Sequence, residues 1–192
     1  MPLPPSDVGR EPLHTRTIRV ESFVREDGQW DIEATLIDIK AYDFPKQDGS
    51  IQKAGNPIHN ILLRITINDE FTITAAVAAY DAAPYNQHCS AIAPEYGDLV
   101  GMNLLRNFRQ VVKDRYGRTA GCSHLSELAY VLPTVAVQTM ANQRRKEKQT
   151  STTQQEKRPF QLDGCHALRV DGDVAKEFYP KWYVAPATQT NE

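Results

Sequence analysis

The chain is poor in cysteine, nearly balanced in charge and free of long apolar runs. Three cysteines in 192 residues are an odd count. That argues against a disulfide framework and for a reducing compartment, so a cytoplasmic location is expected. Lys and Arg total 22 against 24 Asp and Glu, a net charge of −2, and no whole-molecule attraction to nucleic acid is expected. No stretch approaches the roughly 20 apolar residues of a membrane span, Thr72–Tyr80 being the best. The opening Met-Pro-Leu-Pro-Pro-Ser-Asp has neither a basic nor an apolar signal-peptide region. G-x-G-x-x-G, Walker A, H-E-x-x-H and G-x-S-x-G are missing, as are C-x2-C and H-x3-H. Nucleotide cradles, zincin and nucleophile-elbow hydrolase sites are therefore not signalled.

What is present is a 41% hydrophobic chain with enough apolar residue for one sizeable core. Residues 1–13 hold four prolines and read as an extended arm. From His14 the period is two, with Ile18, Val20, Ser22 and Val24 on one face. Asp27-Gly28 marks a turn, and Trp30, Ile32, Ala34 and Leu36 continue the alternation. Residues 43–58 read as a loop. His59–Ile67 is a third strand, and Asn68-Asp69-Glu70 turns into a fourth, Phe71–Tyr80, whose apolar face is Phe71, Ile73, Ala75, Val77 and Ala79. The period then becomes helical. Leu104, Leu105, Phe108, Val111 and Val112 mark one helix ending at Gly117; Leu125, Leu128, Ala129, Leu132, Ala136, Val137 and Met140 mark another, kinked or interrupted at Pro133. The fold class is α+β: a small antiparallel meander of about four strands, covered on one face by two or three helices. The domain spans 14–142. A flexible linker (143–158), a C-terminal segment docking on the domain (159–183) and a tail (184–192) follow.

The alternation carries polar side chains onto the inner face at one sheet end. A tight turn at 25–29 sets Arg16 opposite Asp38 and His14 opposite Lys40, and His59 starts the next strand at the same end. One reading is a cross-strand ion pair with histidines at a wet rim. The other is a site in which Arg16 and Lys40 hold a small anionic substrate while His14, His59 or Asp38 moves the proton.

Each cysteine has a histidine within two residues: His88-Cys89, Cys122-Ser-His124 and Cys165-His166. Three readings stand. The cysteines are small buried hydrophobes; or Cys89, Cys122, His124, Cys165 and His166 hold zinc or iron; or Cys122, at the start of the second long helix, is a reactive thiol favoured by the helix dipole.

Arg10-Glu-Pro-Leu-His-Thr-Arg16, Trp30-Asp-Ile-Glu33, Asp38-x-Lys40, Pro57-Ile-His59, Gly121-Cys-Ser-His-Leu125, Asp163-Gly-Cys-His-Ala-Leu168 and Tyr179-Pro-Lys-Trp182 together resemble a proteobacterial family catalogued only as a domain of unknown function, across residues 10–183. The resemblance implies no activity. A meander followed by Cys89-Ser-Ala-Ile-Ala93, a helix and Gly121-Cys-Ser-His124 is also similar to the NifU/IscU-type iron–sulfur scaffold. That family's Ala-Cys-Gly-Asp turn has no counterpart here. Three functions follow as expectations: a zinc- or iron-binding protein, a cofactor-independent lyase or decarboxylase on a small anionic substrate, or a non-catalytic interaction module using the C-terminal part. No membrane partner is expected.

Overall fold

The computed structural model describes residues 2–150 and 158–186. The chain forms two compact units, 1–136 and 137–192. Among the described residues no helix is long and apolar enough to cross a membrane.

The first unit is built on a four-stranded antiparallel meander: β1 (His14–Val24), β2 (Trp30–Lys40), β5 (Pro57–Ile67) and β6 (Ile73–Ala82), in the order β1-β2-β5-β6. A separate small ribbon, β3 (Phe44–Pro45) and β4 (Ile51–Gln52), fills the β2–β5 connection. Gly28, at φ +80°, supplies the left-handed residue of the β1–β2 turn. The turn fixes the register, so Val24 pairs with Trp30, Arg16 with Asp38 and His14 with Lys40. Inner-face residues Ile32, Leu36, Ile61, Leu63 and Ile65 are fully buried, each contributing about 2 kcal/mol through removal from water.

Two parts of the sheet differ from the periodic expectation. β1 is exposed along almost its whole length, because it is the sheet edge and pairs on one side only. In β6 a bulge between Thr66 and Ile67 of its partner shifts the phase: Ile67 faces Ile73, but Ile65 faces Ala76 and Ile61 faces Tyr80. The inner residues after Ile73 are therefore Ala76, Ala78 and Tyr80, and Val77 is exposed.

The helices follow. A four-residue turn, α1 (Gln87–Ser90), and a 3-10 helix over Ala93–Leu99 lead into α2 (Phe108–Tyr116). α2 starts later than the leucine periodicity predicts, because Leu104 is tied to the β6 hairpin by its N–H to the Phe71 carbonyl. α3 (Ser123–Thr150) runs unbroken through Pro133. Its buried stripe of Leu125, Leu128, Ala129, Leu132 and Ala136 outweighs the one hydrogen bond that proline forfeits. It also extends into the segment read as a linker; residues 151–157 of that segment lie outside the described residues.

The N-terminus of α3 is clamped. The Tyr96 hydroxyl accepts the Cys122 N–H (3.1 Å), donates to the Cys122 carbonyl (2.9 Å) and accepts the Ser126 hydroxyl (3.2 Å). The Tyr96 ring stacks on Tyr116 with centroids 4.3 Å apart. Gly121 completes the clamp. A Cβ there would meet the Tyr116 carbonyl oxygen and Cβ at 2.6 Å.

In the second unit the segment after residue 157 forms a 3-10 turn (His166–Leu168), α4 (Asp173–Phe178) and another 3-10 turn (Pro180–Trp182). Asp163 accepts the Val170 N–H, and Val184 donates to the Val170 carbonyl.

Gly121→Ala should push Tyr116 and the start of α3 apart. The expected cost is about 2 kcal/mol, read as a lower midpoint in urea unfolding. An unchanged midpoint would mean that the clamp is not tight.

Candidate active site

The inner face of β2 runs Trp30, Ile32, Ala34 and Leu36, and the next inner position is Asp38, only 2% exposed. Alternation thus delivers a carboxylate into the core, where an unpaired charge would be costly. Four donors meet it. Arg16, its cross-strand partner, is bidentate, with Nε to Oδ1 and Nη2 to Oδ2, both at 2.8 Å. His14 Nε2 lies 2.9 Å from Oδ1, and His59 Nδ1, from the other neighbouring strand, 2.9 Å from Oδ2. A carboxylate has about four lone-pair sites, and all are used. Burial alone would raise the Asp38 pKa; the Arg16 and His14 hydrogen bonds overcome it and hold the group at about 2.

Because ionised Asp38 can only accept, His59 must carry its proton on Nδ1, which leaves a lone pair on Nε2. Burial lowers the His59 pKa, and neighbouring His124 lowers it further, against the pull of Asp38. The neutral imidazole is thereby favoured.

α3 supplies the other wall. Glu127 accepts Arg16 Nη1 at 2.5 Å, so every arm of the guanidinium is engaged. His124 packs its ring on His59, centroids 4.0 Å apart, with Nε2 3.7 Å from Asp38 Oδ2. Its Nδ1 is 3.8 Å from the Cys122 sulfur. Burial would raise the Cys122 pKa. The contact with His124, the Tyr80 hydroxyl and the Leu125 and His124 backbone N–H groups at the helix start outweigh that and bring it to about 7. The Tyr80 hydroxyl is buried without a well-formed hydrogen bond, and its own pKa is raised by burial and by Cys122.

His14, Arg16, Asp38 and His59 thus converge, although Arg16 is wholly occupied and so is a positioning group rather than an anion receptor. Lys40 stands apart from the carboxylate: its Nζ is 2.9 Å from the Tyr42 hydroxyl and lies over the Tyr42 and Phe44 rings. The Cys/His set divides. Cys122 and His124 join the Asp38 cluster. Cys89 is half-buried on α1, and Cys165 and His166 belong to the second unit, where Cys165 is exposed. Among the described residues, the ligand atoms close enough to share a cation are those of Asp38, His59 and His124, within 4.8 Å of one another. That combination mixes the two expected sets. Sequence reasoning missed Glu127 and Tyr80. No local signal marks Glu127, and the bulge hid Tyr80.

Fold and site define an α+β domain whose sheet end holds one hydrogen-bond-saturated carboxylate, ringed by imidazoles and a thiol. A family model described as "Protein of unknown function (DUF2889)" matches residues 14–138, and the chain belongs to that family. The match covers the site and ends near the boundary of the first unit, short of the Asp163–Leu168 and Tyr179–Trp182 motifs. No curated protein and no solved structure matches the chain, and a likeness to the NifU/IscU scaffold is not shown.

The native Asp38 pKa lies below the ordinary 3.8. Its contribution to stability is therefore complete above about pH 4 and lost as pH falls towards about 2. The shift corresponds to about 2 kcal/mol. The advantage of the wild type over Asp38→Asn in urea unfolding should shrink by about that amount across the window. A pH-independent difference would mean that the carboxylate is not held charged.

Proposed function

We propose that the chain is a cofactor-independent enzyme of the lyase or acyl-transfer kind, acting on a small carboxylated or acyl substrate through the imidazoles that Asp38 orients. One observation carries this reading: the four-donor saturation of Asp38, which fixes the His59 tautomer and leaves its Nε2 as a base. The side chains of His59 and His124 are 18% and 20% exposed, so both rings reach the surface. A groove of about 830 Å³ opens at the same sheet end, lined by Phe44, Pro57, Ile58 and Tyr85 among others; Asp38, His59, His124 and Cys122 are not among its lining residues. With Arg16 engaged elsewhere, Lys40 is a cation at this rim that can meet an anionic substrate group, and Lys46 lines the groove beside it.

The ligand spacing of Asp38, His59 and His124 favours a second reading, a divalent metal centre. A cation would take an Asp38 oxygen only by displacing Arg16, His14 or His59, whereas proton transfer needs no rearrangement.

The test is a panel of 2-oxo acids, hydroxy acids, esters and thioesters, incubated with the full chain in D2O and followed by proton NMR. At least one member should turn over or exchange a carbon-bound proton. Asp38→Asn and His59→Gln should each slow that by about 100-fold, and Lys40→Ala should raise KM more than it lowers kcat. Turnover indifferent to Asp38 and His59, or none at all, overturns the proposal. About one divalent ion per purified chain, whose removal changes the His59 and His124 resonances, would replace it with the metal centre.

A further inference from the structure

We propose that Cys122 is a nucleophile that accepts an acyl group from an activated ester or thioester, with His124 as its base. The inference rests on the reading of the Asp38 cluster as a reaction centre and names its substrate class. Three groups stand in the order nucleophile, base and orienter. Cys122 Sγ is 3.8 Å from His124 Nδ1, and His124 Nε2 is 3.7 Å from Asp38 Oδ2. They come from β2 and from the residue before α3 and its first turn, so the fold rather than the local sequence assembles them.

Several features suit acyl chemistry. The 28-residue α3 begins at Ser123, so Cys122 sits where the first-turn N–H groups have no helical partner. The Tyr80 hydroxyl, buried beside the sulfur, interacts with Cys122 without forming a well-aligned hydrogen bond. It stands beside the place where an oxyanion would form once Sγ has attacked an acyl carbon. The Tyr96 and Gly121 clamp fixes the Cys122 backbone in both directions.

The step balances. Cys122 gives its proton to His124 and the thiolate attacks the acyl carbonyl. A C–S bond forms, the bond to the leaving oxygen or sulfur breaks, and the leaving group takes the proton from His124. Water then attacks the thioester and gives a proton to His124. The electron pair of the breaking C–S bond returns to sulfur, and a carboxylic acid leaves.

The experiment uses the full chain and p-nitrophenyl acetate, with nitrophenolate release followed by absorbance and the adduct located by mass spectrometry. About one acetyl group per chain should appear on Cys122. It should vanish in Cys122→Ser, persist in Cys165→Ser and form about 100-fold more slowly in His124→Gln. As a check that needs no variant, iodoacetamide at neutral pH should alkylate Cys122 before Cys89 and Cys165. Acetyl found only on other residues, an undiminished rate in folded His124→Gln protein, or Cys122 alkylated last would each overturn the inference. If a panel substrate turns over equally well in Cys122→Ser protein that carries no adduct, the thiol inference fails and the imidazole reading stands. If Cys122 is acetylated while no panel member turns over, the thiol inference holds and that reading fails.

Discussion

The buried carboxylate of Asp38 is the constraint to which the rest of the first unit answers. An ion at 2% exposure costs several kcal/mol in lost hydration. A leucine at the same position would prolong the apolar run of β2 at lower cost. The charge is tolerated because two neighbouring strands each bring a partner to it, Arg16 and His14 from β1 and His59 from β5. Arg16 then reaches on to Glu127, so the same guanidinium ties the sheet edge to α3. An otherwise exposed edge strand is thus anchored at one end by an ion network rather than by burial.

That network explains how a rigid site forms on a sheet margin. Imidazoles at a wet rim would sample several rotamers and both tautomers. A saturated carboxylate removes that freedom from His14 and His59, since each must present an N–H to an oxygen that only accepts. His124, held by ring contact with His59 and by the clamped helix start, is positioned from the other side. Asp38 therefore both anchors the sheet end and sets the tautomers of its histidines.

Much of this was legible in the residues. Asp27-Gly28 determines a tight turn, the turn determines the β1–β2 register, and the register pairs Arg16 with Asp38 and His14 with Lys40. His59 followed because antiparallel strands return to the same end. Periodicity could not show the β6 bulge, whose single extra residue exchanged Ala75, Val77 and Ala79 for Ala76, Ala78 and Tyr80. Nor could it show that α3 lands on the carboxylate. His124 looked like a companion of sulfur because Cys122 is two residues away. Its link to Asp38 is a tertiary contact with no sequence period.

The two expected clusters are therefore one. A sheet-end acid–base set and a cysteine–histidine set, separate along the chain, meet at His124, with one ring nitrogen towards Asp38 and the other towards Cys122. That ring is the physical link between the sulfur and the fixed negative charge of Asp38. The pulls on these groups are opposed: the carboxylate is driven towards ionisation by Arg16 and His14, and His59 towards neutrality by burial and His124.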